Sequence, residues 1–245
     1  MNKSYNILKI RDKTDNYHTP IEDLFDISFR LLINGKSQLS GKTTIILNLL
    51  LNENFPYHNK FNGDDIMVVS NNQLDNKLDI MCKKLDIPDC NRMEFDEDAM
   101  RIIYENWEEE FQEETMDGGK PSNKLLICDD CGYSGSLKNY KKENIMDKFV
   151  CNGRHANVSQ IYTSQRFSQI STCLRTNLTG AILFNTSAKE LDLISEDMSF
   201  MEKGRDFIKM FREHTKVPRS FLVVNFSNPP EKMYMNQHFQ PIEWK

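Results

Sequence analysis

Short, continuously apolar runs alternate along this chain with longer segments in which apolar residues recur every three or four positions. The runs predict buried strands and the longer segments predict amphipathic helices. The predicted strands cover residues 29–33, 65–70, 124–130, 158–163, 181–184 and 221–226, and 232–237 is predicted to return as a hairpin. The predicted helices cover residues 45–52, 73–85, 94–114, 137–151, 187–196 and 204–214. This alternation is typical of an α/β fold with a mostly parallel central sheet flanked by helices.

The segment between the first strand and its helix, residues 33–44, reads INGKSQLSGKTT. A tight loop between a strand and a helix directs backbone N–H groups toward one spot at the positive end of the helix dipole, where phosphate binds. Lys42 would reach the β- and γ-phosphates, and the Thr43 hydroxyl would ligate Mg²⁺. The predicted nucleotide-binding residues are Gly35, Lys36, Ser37, Gln38, Leu39, Ser40, Gly41, Lys42, Thr43 and Thr44.

The first glycine of the phosphate-loop pattern is displaced in this sequence. Lys36 occupies its position, and Gly35 stands one residue earlier. Either Gly35 makes the turn in a loop one residue longer, or Lys36 takes up that conformation directly. A chance Gly-Lys-Thr before a helix is the competing interpretation. The strand before the loop, the helix after it and a second motif downstream favour a nucleotide site.

The second motif is an apolar strand, residues 124–128, that ends in two acids, Asp129 and Asp130. A strand buried on both faces would deliver Asp129 beside the Mg²⁺ site, where it would hold the metal through water. Asp130 is predicted to orient or deprotonate the attacking water. Gln165 follows the next strand, so it is predicted to sense the γ-phosphate or the water from the same crevice.

Composition limits the remaining possibilities. The 245 residues suit one large α/β domain, so we expect an N-terminal extension over 1–28 and a single nucleotide-binding domain over 29–245. The net charge of −5 means that any DNA contact must be local, with Lys138, Lys141 and Lys142 as candidates. We find no signal peptide and no apolar run long enough to cross a membrane, so no membrane partner is expected.

Two further features favour structural interpretations. Cys128 and Cys131 form a C-x-x-C pair, but a zinc site needs a second ligand pair, and Cys128 should point into the core. Residues 94–114 hold ten acids against one base, Arg101. A partner-binding face is one interpretation of that helix. A solvated helix packed through Ile102, Ile103, Trp107 and Phe111 is the favoured one.

Four segments together resemble the FtsK/HerA superfamily of ring-forming ATPases, and within it the genome-packaging ATPases of poxviruses, giant DNA viruses and virophages. They are GKSQLSGKTT, LLICDDCG, NGRHANVSQIYTSQ and LRTN. The last two carry most of the resemblance, because the first two occur in every phosphate-loop class. The resemblance spans roughly residues 29–226, and the size of the chain suggests a virophage protein of the Sputnik type. Lys36 and Leu39 depart from the pattern of the phosphate loop.

The resemblance implies a P-loop ATPase that uses ATP and Mg²⁺ to thread double-stranded DNA into a preformed capsid. It implies a homo-oligomeric ring, pentamer or hexamer, that works with capsid vertex components at the assembling capsid, in a virus factory in the host cytoplasm. Arg154 would act on the nucleotide of the neighbouring subunit, because an arginine fork can meet the charge that develops on the γ-phosphoryl oxygens. Arg175 is the second candidate for that role.

Other functions remain open at this point. A GTPase-like switch is suggested by Asp129-x-x-Gly132, but the Asn-Lys-x-Asp guanine-reading motif is missing near residues 164–166. A nucleotide kinase would use Arg154 and Arg175 as lid arginines. A nucleotide-gated scaffold would bind without turnover.

Overall fold

The predicted alternation of strands and helices is present in the structure. The computed structural model describes residues 17, 19–37, 40–71, 75–130 and 144–244. The strands in these residues are β1 (Arg30–Asn34), β2 (Ile66–Ser70), β3 (Arg92–Met93), β4 (Lys124–Asp129), β5 (Val158–Ser164), β6 (Gly180–Phe184), β7 (Phe221–Asn225) and β8 (Tyr234–Met235). The α-helices are α1 (Lys42–Leu51), α2 (Asn76–Lys84), α3 (Glu97–Thr115), α4 (Ile145–Asn152), α5 (Thr172–Asn177), α6 (Ala188–Met198) and α7 (Gly204–His214). The short strand β3 and the short helix α5 were not predicted.

All these strands join one sheet in the order β3-β2-β4-β5-β1-β6-β7-β8. Strands β1 to β6 run parallel, whereas β7 and β8 pair antiparallel at one edge. The predicted mostly parallel sheet and the C-terminal hairpin are therefore confirmed. Strand β5 lies between β1 and β4, so the loop after β1 and the acids at the end of β4 face each other across the end of β5.

Helices cover both faces of the sheet, so the central strands are buried on both sides. Leu31 and Ile33 point into a core that includes residues of α1 and α2. Leu32, between them, points into the opposite core, which includes residues of α3 to α7. Successive side chains of a strand alternate between faces, and this explains why the sequence of β1 reads as a continuous apolar run.

The described part of the predicted N-terminal extension packs onto the domain. Phe25 and Ile27 are buried in the same core as α1 and α2. The backbone N–H of Phe25 donates to the Tyr57 hydroxyl at 2.8 Å, and that hydroxyl donates to the Phe25 carbonyl at 2.7 Å. The Asn225 side chain donates to the Leu24 carbonyl at 2.8 Å. A division at residue 28 stays a prediction, and residues 24–27 are held on the domain by these contacts.

The acidic helix α3 packs through an apolar face, as the favoured interpretation expected. Its buried residues are Met100, Tyr104 and Trp107. Ile102 is 58% exposed, so its predicted place on the buried stripe is wrong. The buried residues recur at intervals of four and three positions, and this helical spacing puts Ile102 about half a turn away from them.

Candidate nucleotide-binding site

Gly35 follows β1 directly, at a position with no room for a side chain. Its backbone N–H donates to the Ser164 carbonyl at 3.0 Å, which holds the start of the loop against β5. A Cβ atom on Gly35 would lie 2.7 Å from the Ser40 Cβ and 2.8 Å from the Phe184 Cβ, closer than side chains approach. Lys36 and Ser37 are exposed, and Gln38 and Leu39 lie outside the described residues. The structure therefore favours Gly35 as the first glycine of a loop one residue longer.

The other end of the loop starts helix α1. Gly41 has a φ angle of 93°, a left-handed conformation that favours glycine. The Ser40 hydroxyl donates to the Lys36 carbonyl at 2.7 Å and closes the loop. The first N–H groups of α1, from Lys42 onward, have no partner within the helix and are available to an anion.

Lys42 is held across this loop. Its Nζ donates to the Gly35 carbonyl at 3.0 Å, and the side chain is buried. Burial lowers the pKa of Lys42, while the negative charges of Asp130 and Asp129 act in the opposite direction. The ammonium group thus lies between the loop and the two acids, in the position predicted for a group that contacts phosphate.

Asp129 and Asp130 are linked through Thr163, a residue that the sequence did not single out. The Thr163 hydroxyl donates to Asp129 Oδ1 at 2.8 Å and accepts from the backbone N–H of Asp130 at 2.8 Å. Asp130 has a φ angle of 52°, a left-handed conformation unusual for a residue other than glycine. Thr163 therefore holds both the carboxylate of Asp129 and the backbone of Asp130 at the turn after β4.

Gln165 meets Asp130, as expected for two residues at neighbouring strand ends. Its Nε2 donates to both carboxylate oxygens of Asp130, at 2.8 Å and 3.1 Å. The Gln165 side chain is an amide without a charge, so it orients the carboxylate and leaves its negative charge intact. The structure thus brings together the two residues predicted to act on the attacking water.

The predicted metal residues Thr43 and Asp129 line one cleft of about 520 Å³ together with Lys42 and Asp130. Burial raises the pKa of Asp129, whereas the hydrogen bond from Thr163 and the charge of Lys42 lower it. A hydroxyl and a carboxylate are hard oxygen ligands, which suit Mg²⁺, and this ion commonly takes its remaining ligands from water and substrate phosphates. The residues present therefore fit a magnesium nucleotide.

The start of helix α2 adds three residues to the cleft that sequence reasoning missed, Asp75, Asn76 and Lys77. Lys77 Nζ donates to the Thr44 hydroxyl at 2.8 Å, and Asp75 caps α2 by accepting from the backbone N–H groups of Lys77 and Leu78. Asp75 and Lys77 both line the cleft. A lysine near the start of an amphipathic helix is expected to be solvated. Only the contact between Lys77 and Thr44 in the folded chain shows that it lies at the cleft.

Arg154 and Arg175 lie where strands of the sheet begin, at the end opposite to the phosphate loop. Arg154 is on a 3₁₀ turn, Gly153–Ala156, just before β5, and Arg175 is on α5, shortly before β6. Both strands run parallel to β1, so their starts lie at the end away from the phosphate loop. The seven residues of β5 place this end about 20 Å from the loop. Neither residue is placed as a lid arginine over its own loop, which removes the support for the nucleotide kinase.

The two arginines differ in their surroundings. Arg154 is exposed, and its Nε donates to a ring nitrogen of His155 at 3.4 Å. Arg175 has a side chain only 14% exposed, paired with Asp197 at 2.6 Å. Its guanidinium also lies over the Phe167 ring, 5.3 Å from the centroid. Arg175 is therefore committed to contacts within its own chain, whereas Arg154 is accessible to another molecule.

The remaining predictions concern the candidate DNA-binding lysines, the two cysteines and membrane-spanning helices. Lys138, Lys141, Lys142 and Cys131 lie outside the described residues, and Cys128 is buried in the core as expected. None of the helices in the described ranges combines the length and apolarity needed to cross a membrane.

Comparison with known proteins identifies the family. The family model described as Poxvirus A32 protein matches residues 17–234. The chain belongs to the poxvirus A32 protein family. No curated protein matches the chain in sequence.

Solved structures share the fold of this A32 family member. The genome-packaging NTPase B204 from Sulfolobus turreted icosahedral virus 2, in complex with sulfate, is 16% identical, with a TM-score of 0.55 over 88% of this chain and 97% of B204. The same protein in complex with ATP-gammaS is 16% identical, with a TM-score of 0.52 over 85% and 96%. EssC (ATPases 2 and 3) from Geobacillus thermodenitrificans is 15% identical, with a TM-score of 0.57 over 88% of this chain and 39% of EssC. The family match and these neighbours confirm the predicted resemblance to viral packaging ATPases.

Proposed function

We propose that this protein is an ATP-driven motor that threads viral double-stranded DNA into a preformed capsid. The observation that carries the proposal is the convergence of Lys42, Asp129 and Asp130 on one cleft, with Gln165 bonded to Asp130. The exposed Arg154 lies at the opposite end of the strands. This separation of the cleft from Arg154 suits an ATPase in which the arginine of one subunit completes the site of a neighbouring copy. Membership of the A32 family supports the packaging role.

The chain's own residues would bind the phosphates before any chemistry. The loop from Gly35 to Thr44 offers backbone N–H groups, and Lys42 offers a fixed positive charge beside them. Thr43 and Asp129 would hold Mg²⁺, which neutralises charge on the β- and γ-phosphates when it is bound. These groups are positioned before the substrate arrives, so little reorganisation opposes the reaction.

Hydrolysis would depend on Asp130 and Gln165. A water oxygen forms a bond to the γ-phosphorus, and the bond from that phosphorus to the oxygen bridging the β-phosphate breaks, which yields ADP and phosphate. Asp130 orients the water and accepts its proton. Gln165 holds the Asp130 carboxylate through both oxygens and could respond when the γ-phosphate leaves.

Arg154 would complete the site of the next subunit. In a cyclic ring each interface joins two different surfaces of the same chain, so the surface that bears Arg154 can face the phosphate loop of its neighbour. Its guanidinium would stabilise the charge that spreads over the γ-phosphoryl oxygens. Arg175 is the less suitable candidate because Asp197 and Phe167 already hold it.

The partners that follow from this role are duplex DNA, other copies of the chain in a ring of five or six, and capsid vertex components. The site of action would be the assembling capsid, in a virus factory in the host cytoplasm. Lysines 138, 141 and 142 stay the candidates for DNA contact. Because the chain as a whole is acidic, replacement of all three should reduce the dependence of DNA affinity on salt.

The direct test measures ATP hydrolysis with and without duplex DNA, together with the mass of the protein in solution. We expect hydrolysis that increases with DNA and a mass corresponding to a ring. Hydrolysis by a monomer, unaffected by DNA, would exclude a motor. Binding without turnover would instead identify a nucleotide-gated scaffold.

A further inference from the structure

A second cavity adjoins the phosphate loop on the side away from the acids. It has a volume of about 430 Å³ and is lined by the end of β6, including Phe184, and by the segment between α7 and β7, including Val217, Pro218 and Arg219. It also contacts Lys36 and Ser40 of the phosphate loop. None of the residues of the proposed hydrolytic chemistry lines it.

A smaller cavity of about 220 Å³ joins this space to the phosphate cleft. Its lining includes Gly41, Thr44, Phe184 and Arg219. Gly41 also lines the phosphate cleft, whereas Phe184 and Arg219 line the second cavity. A continuous path therefore runs from the two acids, across the start of α1, to Arg219.

The order of the strands gives this path a direction. The acids and Gln165 lie at the carboxyl ends of β4 and β5, on one side of β1, whereas Phe184 ends β6 on the other side. The γ-phosphate must lie beside Asp130, where water is activated. The phosphate chain then passes the start of α1, and the nucleoside end faces Thr44 and the second cavity.

The lining of the second cavity suits a flat aromatic base. Phe184 is buried and forms an apolar wall, and Val217, 56% exposed, adds a second apolar side chain to the lining. Arg219 has a φ angle of 68° and is exposed, and it makes no ion pair or hydrogen bond with another described residue. A planar guanidinium that is not already paired can stack on an aromatic ring and contribute cation–π attraction.

We propose that this cavity, here called the base pocket and defined by Phe184, Val217, Pro218 and Arg219, binds the adenine base of ATP, with the Arg219 guanidinium over the face of the ring. The proposal rests on the proposed ATPase function and adds the subsite that distinguishes a nucleotide from a bare chain of phosphates. Arg219 is then a residue that determines affinity for the nucleoside and takes no part in hydrolysis.

The test compares two ligands that share the phosphates and differ in the base. Binding of AMPPCP and of inorganic tripolyphosphate is measured by calorimetry with Mg²⁺, for the full chain and for Arg219→Gly. Glycine tolerates the left-handed backbone at position 219, so this variant should keep its fold. Val217→Asp, which puts a carboxylate into the apolar slot, is the second variant. Arg212→Ala, at an exposed position on α7 away from the base pocket, is the matched control.

We expect Arg219→Gly and Val217→Asp to raise the Kd of AMPPCP by about 3- to 30-fold, and to leave that of tripolyphosphate within about twofold. Arg212→Ala should change neither. Equal losses for both ligands would mean that Arg219 contacts phosphate, and no loss would place the base elsewhere; either result overturns the base pocket alone. If the unaltered chain binds neither ligand, the nucleotide site itself fails, and the proposed function fails with it.

Discussion

The two ends of the parallel strands differ in how the residues proposed to act on the nucleotide are held. At the carboxyl ends, Lys42 bonds to Gly35, Thr163 bonds to Asp129, and Gln165 bonds to Asp130. At the amino ends, Arg154 is exposed, and its only hydrogen bond to another described side chain is to the adjacent His155. The side chains at the carboxyl ends are linked to one another by hydrogen bonds. Arg154, at the amino ends, has no acidic partner among the described residues.

This difference indicates which part of the chemistry each end can perform. The carboxyl ends carry the residues proposed to bind phosphate and to act on water, and no arginine is among the described residues that line their cleft. The amino ends supply an arginine with no phosphate of its own within reach. In the proposed ring these two surfaces would meet, so the comparison predicts separable effects for variants at each end of the strands.

Lys42→Ala should produce the largest effect at the carboxyl ends of the strands. Turnover should fall by about 10³-fold or more, because the γ-phosphate loses its main fixed charge as the transition state forms. Steady-state ATP hydrolysis measures this, with Lys209→Ala, an exposed lysine on α7, as the control. Turnover at the native rate would show that the phosphate loop has been assigned wrongly.

The two acids should separate binding from chemistry. Asp130→Asn should slow hydrolysis by about 10²-fold or more and leave AMPPCP binding nearly unchanged, because it removes the group proposed to act on water. Asp129→Asn should weaken Mg²⁺-dependent binding by about 10- to 100-fold. Binding and single-turnover measurements together distinguish the two, and equal effects on binding would remove the division of roles.

Thr163→Val should have a moderate effect on both acids. The variant keeps the shape of the side chain and loses the hydroxyl that links Asp129 to the Asp130 backbone, so we expect about a tenfold loss of turnover. The hydrogen bond from Thr163 lowers the pKa of Asp129. Its loss raises that pKa and the protonated fraction at a given pH, so the acid limb of the pH–rate profile should move to higher pH. Thr163→Ser should restore the native profile, and an unchanged profile in Thr163→Val would contradict the link.

Arg175→Ala should have the smallest effect on turnover, within about twofold, and should instead lower the free energy of unfolding by about 1–3 kcal/mol. The reason is its ion pair with Asp197 and its contact with Phe167. Denaturant unfolding checks the stability, and Asp197→Ala should lower it similarly. A variant with native stability and a turnover reduced 10³-fold would make Arg175 the residue that acts on the neighbouring site.

The site elements that the sequence predicted are those in which neighbouring residues decide the structure. The phosphate loop, the apolar strand ending in Asp129 and Asp130, and the position of Gln165 all follow from a strand and the residue after it. The rival conformations of Gly35 and Lys36 could not be separated in this way. The answer depends on the space that Phe184 and Ser40 leave around Gly35, and Phe184 is distant in the chain.

The residues that were missed act through contacts between segments far apart in the chain. Thr163 reads as an ordinary polar residue in a strand, and its role appears only when β5 lies beside β4. Lys77 and Arg219 reach the start of α1 from other segments, and nothing in their local sequence indicates a ligand. Arg154 was already the preferred candidate on the sequence, and the pairing of Arg175 with Asp197, which joins residues of two helices, adds a reason that only the structure supplies.

The measurement that tests the account most directly mixes two inactive variants. Lys42→Ala keeps Arg154 but has a defective phosphate loop, and Arg154→Ala keeps its loop but lacks the arginine for its neighbour. Each alone should hydrolyse ATP at least about 10³-fold more slowly than the native chain. When they are mixed and reassembled, activity should return at the interfaces where an intact loop meets an intact Arg154. If Arg154→Ala is fully active alone, or is inactive and no mixture restores activity, the claim that two subunits share one catalytic site is contradicted.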